Sequence, residues 1–108
     1  MNTLKDSTVT SLNDYIEYST GSVISKTLIK KKAGTVTLFS FDKGESLSTH
    51  SASFDALVQV LEGKVEITID GKPYLVGKDE SILLPANVPH GLVAREKFKM
   101  LLTMIKEV

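Results

Sequence analysis

Cysteine is absent from this chain, which removes disulfides, thiolate zinc sites, iron–sulfur clusters and cysteine nucleophiles together. Histidine is scarce, with His50 and His90 the only two. An excess of charge of one sign is missing too. Thirteen basic and thirteen acidic residues cancel, so no long-range field favours nucleic acid, an anionic membrane or a strongly charged partner. No apolar run approaches the ~20 residues of a membrane span, and MNTLKDSTVT lacks the basic and apolar regions of a signal peptide. A soluble, cytoplasmic protein is the expectation. The glycine–serine–glycine elbow, the phosphate-cradling loop and the dinucleotide fingerprint are absent as well. No serine or lysine therefore has a motif partner for nucleophilic chemistry.

What remains is a pattern of short strands. The chain has 108 residues, 42% of them hydrophobic, enough for one domain with one core. After a polar start, SLNDYIEY reads as a helix of about two turns, with Ser11 as its cap and Gly21 as its stop. From Val23 the period changes. VISKTLI, TVTLFSF, ALVQVL, KVEITI, KPYLV, SILLP and FKMLLTMI are rich in β-branched and aromatic residues and are separated by turn signals, which predicts an all-β domain. In KVEITID-GKPYLV, Val65, Ile67 and Ile69 alternate with polar residues and Asp70-Gly71 supplies a hairpin turn. Lys30, Lys31 and Lys32 precede Ala33-Gly34 and read as a solvated turn. Two segments, 56–61 and 98–105, are apolar at both parities. They need cover on both faces, from the domain interior on one side and from the N-terminal helix or a second subunit on the other.

Strand parity places His50 with Ala52, and Ala56 with Val58 and Val60, while Gln59 faces the other way. Ser48 shares the parity of His50 but is a poor ligand when neutral. In ESILLPANVPHGLVA, Pro85 and Pro89 frame a tight turn that delivers His90 to the start of a strand. An imidazole placed by a rigid turn needs little further ordering to ligate or to move a proton. Met100 and Met104, with Phe98, read as packing whose softness can shape a pocket wall.

These stretches resemble the cupin superfamily, small β-barrels of jelly-roll arrangement. The first cupin motif runs from one glycine to another through His-x-His and a glutamate, and Gly44, His50, Ala52, Ala56 and Gly63 fall in those places. The second runs through glycine, proline, glycine, histidine and asparagine; Gly77, Pro85, Asn87, His90 and Ala94 occupy that frame here, with two extra residues before the proline and with Asn87 and Ala94 replacing the second glycine and the asparagine. The resemblance covers roughly residues 34 to 105. It implies an all-β, cupin-like jelly-roll β-barrel with a short N-terminal helix. Residues 1–33 would supply a tail, that helix and a first strand packed on the barrel, and 34–108 the barrel itself, one domain overall. Of the three-histidine, one-glutamate metal set that the family uses, only His50 and His90 carry over, since Ala52 and Ala56 stand at the other two positions.

Sites for zinc, nickel, iron or manganese normally use three or four protein ligands. The leading expectation is therefore a small-molecule-binding cupin with a degenerate metal site, its pocket formed by His50, Ala52, Ala56, Val58 and His90. The alternative is an enzyme of oxygenase, isomerase or lyase type in which His50 and His90 hold a divalent metal weakly and a chelating substrate completes its sphere. A third reading makes the covered sheet face an assembly surface. A homodimer is expected from the doubly apolar strands, and no nucleic acid or membrane partner is.

Overall fold

The computed structural model describes residues 4 to 106, which form one helical turn and nine strands. In chain order these are α1 (Leu12–Tyr15), β1 (Val23–Lys31), β2 (Gly34–Phe41), β3 (Ser46–His50), β4 (Asp55–Glu62), β5 (Lys64–Ile69), β6 (Lys72–Gly77), β7 (Ser81–Leu84), β8 (His90–Ala94) and β9 (Phe98–Ile105). All pairings are antiparallel. They make a five-stranded sheet in the order β1-β2-β9-β4-β7 and a four-stranded sheet in the order β3-β8-β5-β6, facing each other across one core as in a cupin jelly roll. Among the described residues no helix is long and apolar enough to cross a membrane.

The alternation seen in sequence sets which residues face inward. Val65 and Ile67 of β5 are buried, as are Ala56, Val58 and Val60 of β4, and Gln59 is exposed. The β5–β6 hairpin turns at Asp70 and Gly71, which both take positive φ, 51° and 80°, as a type I′ turn requires. Lys30, Lys31 and Lys32 lie exposed at the β1–β2 turn.

Inner-face volume changes along the strands. At one end Phe41 and Phe98 are Cα partners, stack with centroids 4.6 Å apart and 15° between planes, and are fully buried. Val60 and Met100 pack beside them in the same core. At the other end the inner positions include Ala56, with Met104 as its Cα partner. That end holds less side-chain volume.

The helix is shorter than the sequence predicts. It has four residues, Ser11 makes no side-chain cap bond, and the chain is already extended at Ile16, well before Gly21. The cause is competition for carbonyl groups. Lys99 Nζ donates to the Asn13 carbonyl at 2.6 Å, Lys26 Nζ to that of Tyr15 at 2.6 Å, and Ser40 Oγ to that of Glu17 at 2.7 Å. A second turn would need the carbonyls of Asn13 and Tyr15 for its own amides, and the sheet has taken them. The segment is held further by Tyr18, whose hydroxyl donates to a Glu62 carboxylate oxygen. Burial first, then that hydrogen bond and the carboxylate's charge, raise the Tyr18 phenol well above its ordinary value. Ile16 thereby packs with Leu28 and Leu38 on the outer face of the five-stranded sheet, against Leu61 and Leu101.

Gly63, between β4 and β5, has φ +79°, and a Cβ there would lie 1.9 Å from the Lys97 carbonyl oxygen. Gly71 has the similar φ of +80° but open space around it. Gly63→Ala should therefore cost more than the roughly 1–3 kcal/mol of a strained backbone alone, and Gly71→Ala no more than that. Urea unfolding of both variants measures the difference, and equal losses would show that the contact at Lys97 is relieved by local movement.

Candidate functional site

The open end of the barrel is shaped by two short pieces of chain. The first is the end of β3. Its pairing with β8 shifts register between Leu47 and His50, so both Leu47 and His50 line the cavity, although an unbroken strand would put them on opposite faces. Ser48 and Thr49 instead border a shallow groove with Glu66 and Thr68. The parity expected for Ser48 from an unbroken strand does not hold, and the contribution of Ser48 comes from its backbone.

The second piece is the Pro85–Pro89 turn. Asn87 takes φ +64°, a conformation asparagine tolerates better than most residues, and its amide donates to the Ala52 carbonyl at 2.6 Å. The Ala86 amide donates to Asp55 Oδ1 at 2.9 Å. These bonds tie the turn to the β3–β4 connection and to the first residue of β4. His90 then begins β8 as the Cα partner of both His50 and Ile69.

His50 and His90 meet edge to face, with ring centroids 4.6 Å apart and 66° between planes. His50 is exposed and His90 half-buried. Each ring is anchored the same way. Nδ1 of His50 lies 2.8 Å from the Ser48 carbonyl oxygen, and Nδ1 of His90 lies 3.2 Å from that of Val88. A carbonyl can only accept, so in both neutral rings the proton sits on Nδ1 and the lone pair on Nε2.

Around the two rings is a cavity of about 210 Å³. The structure brings His50, Ala52, Ala56, Val58 and His90 together on its wall, five positions that sequence parity and the cupin frame had singled out. Met100 and Met104 line it as well as packing the core. Sequence reasoning missed Leu47, which the register shift turns inward, and Phe54, which stands between this cavity and an outer groove containing Asp55, Asn87 and Lys106. Phe54 carried a weak signal, being the aromatic residue between Ala52 and Ala56. No Asp, Glu, Lys or Arg side chain lines the cavity among the described residues.

A two-sheet jelly roll with one apolar mouth defines the class of protein. The cupin domain family model matches residues 37–106, and the chain belongs to the cupin family. It is similar over most of its length to a conserved protein of unknown function from Streptococcus pyogenes, at 36% identity and a TM-score of 0.95, covering 99% of this chain and 94% of that one. A cupin superfamily protein from Desulfitobacterium hafniense shares 28% identity at a TM-score of 0.90, covering 96% and 95%. A cupin 2 conserved barrel domain protein from Leptotrichia buccalis shares 47% identity at a TM-score of 0.84, covering 87% of this chain but 46% of that one. No curated protein matches.

Membership of the family raises the question of a metal. Among the described residues no three His, Cys, Asp or Glu side chains converge, and at two positions of the cupin ligand frame the wall carries the methyl groups of Ala52 and Ala56. Two imidazoles do not fit a resident site of three or four protein ligands. Restoring the other two ligands tests this frame directly. Ala52→His combined with Ala56→Glu should bind zinc, nickel or manganese at least a hundredfold more tightly than the parent, because ligand number and convergence govern affinity. Calorimetry at pH 8 compares the two proteins, and no gain in a folded double variant would show that positions 52 and 56 do not address the imidazoles.

Proposed function

We propose that this protein binds a small, largely apolar molecule in the cavity at the open end of the barrel, with His50 and His90 orienting it. The observation that carries this reading is the make-up of the wall. It surrounds about 210 Å³, has no charged side chain among the described residues, and has only the two imidazoles as polar side chains. Ligand sites are typically of this kind, mostly apolar with a few convergent polar groups. An engineered apolar cavity of about 150 Å³ takes up benzene, so a single-ring body is a reasonable size of occupant. Ala52, Ala56 and Val58 provide the floor, and their small side chains leave the space. The fold itself selects no ligand, since cupin-like frames host many activities.

A bound molecule recovers dispersion contacts that the wall otherwise lacks and stabilises the folded chain by mass action. Single-ring compounds should raise the melting temperature saturably in the presence of a chelator. Ala56→Leu, which fills the floor, should abolish the shift while keeping a cooperative melt. His50→Ala and His90→Ala should also fold, because the core lies in the apolar strands. No shift with any compound, or a shift untouched in Ala56→Leu, would overturn the reading. A shift seen only after zinc is added would favour the enzyme-type alternative with a metal held by the two imidazoles.

We also propose that the protein is a homodimer. The N-terminal segment covers only part of the outer face of the five-stranded sheet. Ile29, Val36, Thr103, Leu57 and Leu83 are successive Cα partners across all five strands, and of these Val36 packs against the cluster that contains Ile16. Leu83 is 54% exposed, Ile29 41% and Leu57 37%. The row carries no charge, so a second copy can face it about a two-fold axis without like-charge opposition. Light scattering should give a dimer mass for the parent and a monomer mass for Leu57→Lys with Leu83→Lys. A monomeric parent at micromolar concentration would overturn it.

A further inference from the structure

The two imidazoles are fixed in the same tautomer, and that fixes what they can recognise. In each ring Nδ1 is engaged with a backbone carbonyl two residues back, Ser48 for His50 at 2.8 Å and Val88 for His90 at 3.2 Å. The unprotonated Nε2 lies at the outer edge of each ring, farther from the backbone. No hydrogen bond to either Nε2 is made among the described residues. With centroids 4.6 Å apart and both residues on the wall of one cavity, the two acceptors belong to a single small site. The rest of the wall offers no side-chain donor to satisfy them, being Leu, Ala, Val, Ile, Phe, Met and Gly. His50 is exposed and His90 half-buried, so solvent can donate to both acceptors in the empty site, and a ligand that displaces it must donate in its place or lose those bonds.

We propose that the site selects ligands with an apolar body and a head that donates two hydrogen bonds, a primary carboxamide or a pair of adjacent hydroxyl groups, one donor to Nε2 of His50 and one to Nε2 of His90. This deepens the ligand-binding reading above and rests on it. A head with one donor leaves one imidazole unsatisfied. An ether or a carboxylate presents only acceptors to two lone pairs and is rejected. The separation of roles follows from the wall: Ala52, Ala56 and Val58 accept any apolar body of suitable size, and the histidine pair discriminates among heads.

Catechol, phenol and anisole share one ring and carry two, one and no donors. Their binding is measured by calorimetry at pH 8 with a chelator present. Catechol should bind about tenfold more tightly than phenol, the size expected when a second, otherwise unpaired acceptor gains its hydrogen bond, and phenol more tightly than anisole. The preference of catechol over phenol should fall below twofold in His50→Phe and in His90→Phe, which keep a ring and lose the acceptor. If either Phe variant fails to fold, the corresponding His→Ala variant serves in its place. Benzamide, with two N–H donors, should show the same dependence on both histidines. Equal affinity for catechol and phenol in a protein that binds both would overturn the two-donor head while leaving the pocket as a ligand site. Binding of none of the four probes would overturn both readings. A catechol preference that appears only when zinc replaces the chelator would show that the head is read through a metal, and would also overturn this inference.

Discussion

Strand β9 lies between β2 and β4 and is apolar along most of both faces, and the volume carried by the inner rows around it changes along the strands. At the Phe98 end, the stack with Phe41 fills the space between the sheets, with Val60 and Met100 beside it. Toward Met104, the row crosses to Ala56 on β4, and the sheets do not fill the gap between them. Close packing at one end provides the stability, and its absence at the other leaves the cavity. Fold and site are thus two consequences of one gradient in side-chain size.

The outer face of the same sheet is organised by backbone capture. Lys99 is only 8% exposed, and its ammonium reaches the Asn13 carbonyl, with the Glu62 carboxylate 3.9 Å away. Lys26, Lys99 and Ser40 donate to backbone carbonyl groups of the N-terminal segment, and the same two ammonium groups lie over its Tyr15 and Tyr18 rings, so the segment is held by its conformation and by its two tyrosines. Apolar cover comes from Ile16, which is 1% exposed. The cover ends before Leu57 and Leu83, so the two apolar faces that β4 shows in sequence have different partners, the core inside and only a partial covering outside.

Much of this was legible in the residues. Alternation in KVEITI and at Ala56, Val58 and Val60, together with turn residues at Asp70-Gly71 and Pro85–Pro89, was enough to place strands and to bring His50 and His90 to one end. What could not be read depends on contacts distant in sequence. Ser11 and the SLNDYIEY stretch give a local helix signal that is sound in isolation, and it fails after one turn because lysines on β1 and β9 claim the carbonyls. The register shift between Leu47 and His50 leaves no mark in the local sequence, so Leu47 was missed and Ser48 was assigned to the wrong side. Phe54 needed the position of the Pro85–Pro89 turn before it could be seen as part of a wall.

The site follows from what the cupin frame keeps and what this chain lacks. The frame keeps a β3 end and a β8 start in Cα register, so two imidazoles meet wherever histidines occupy those positions. With alanine at 52 and 56, methyl groups stand at the two remaining positions of the ligand frame, and the cavity wall there is apolar. The backbone carbonyls of Ser48 and Val88 then acquire a larger role. In a full metal centre the metal and a hydrogen-bonded outer partner orient each ring together. Here the carbonyl alone fixes the tautomer of each ring, and it does so independently of any ligand. A pair of pre-oriented acceptors needs little ordering when a molecule arrives, so more of the interaction energy remains for binding. On the reading proposed above, two histidines that fall short of a three- or four-ligand set serve instead to orient a small molecule.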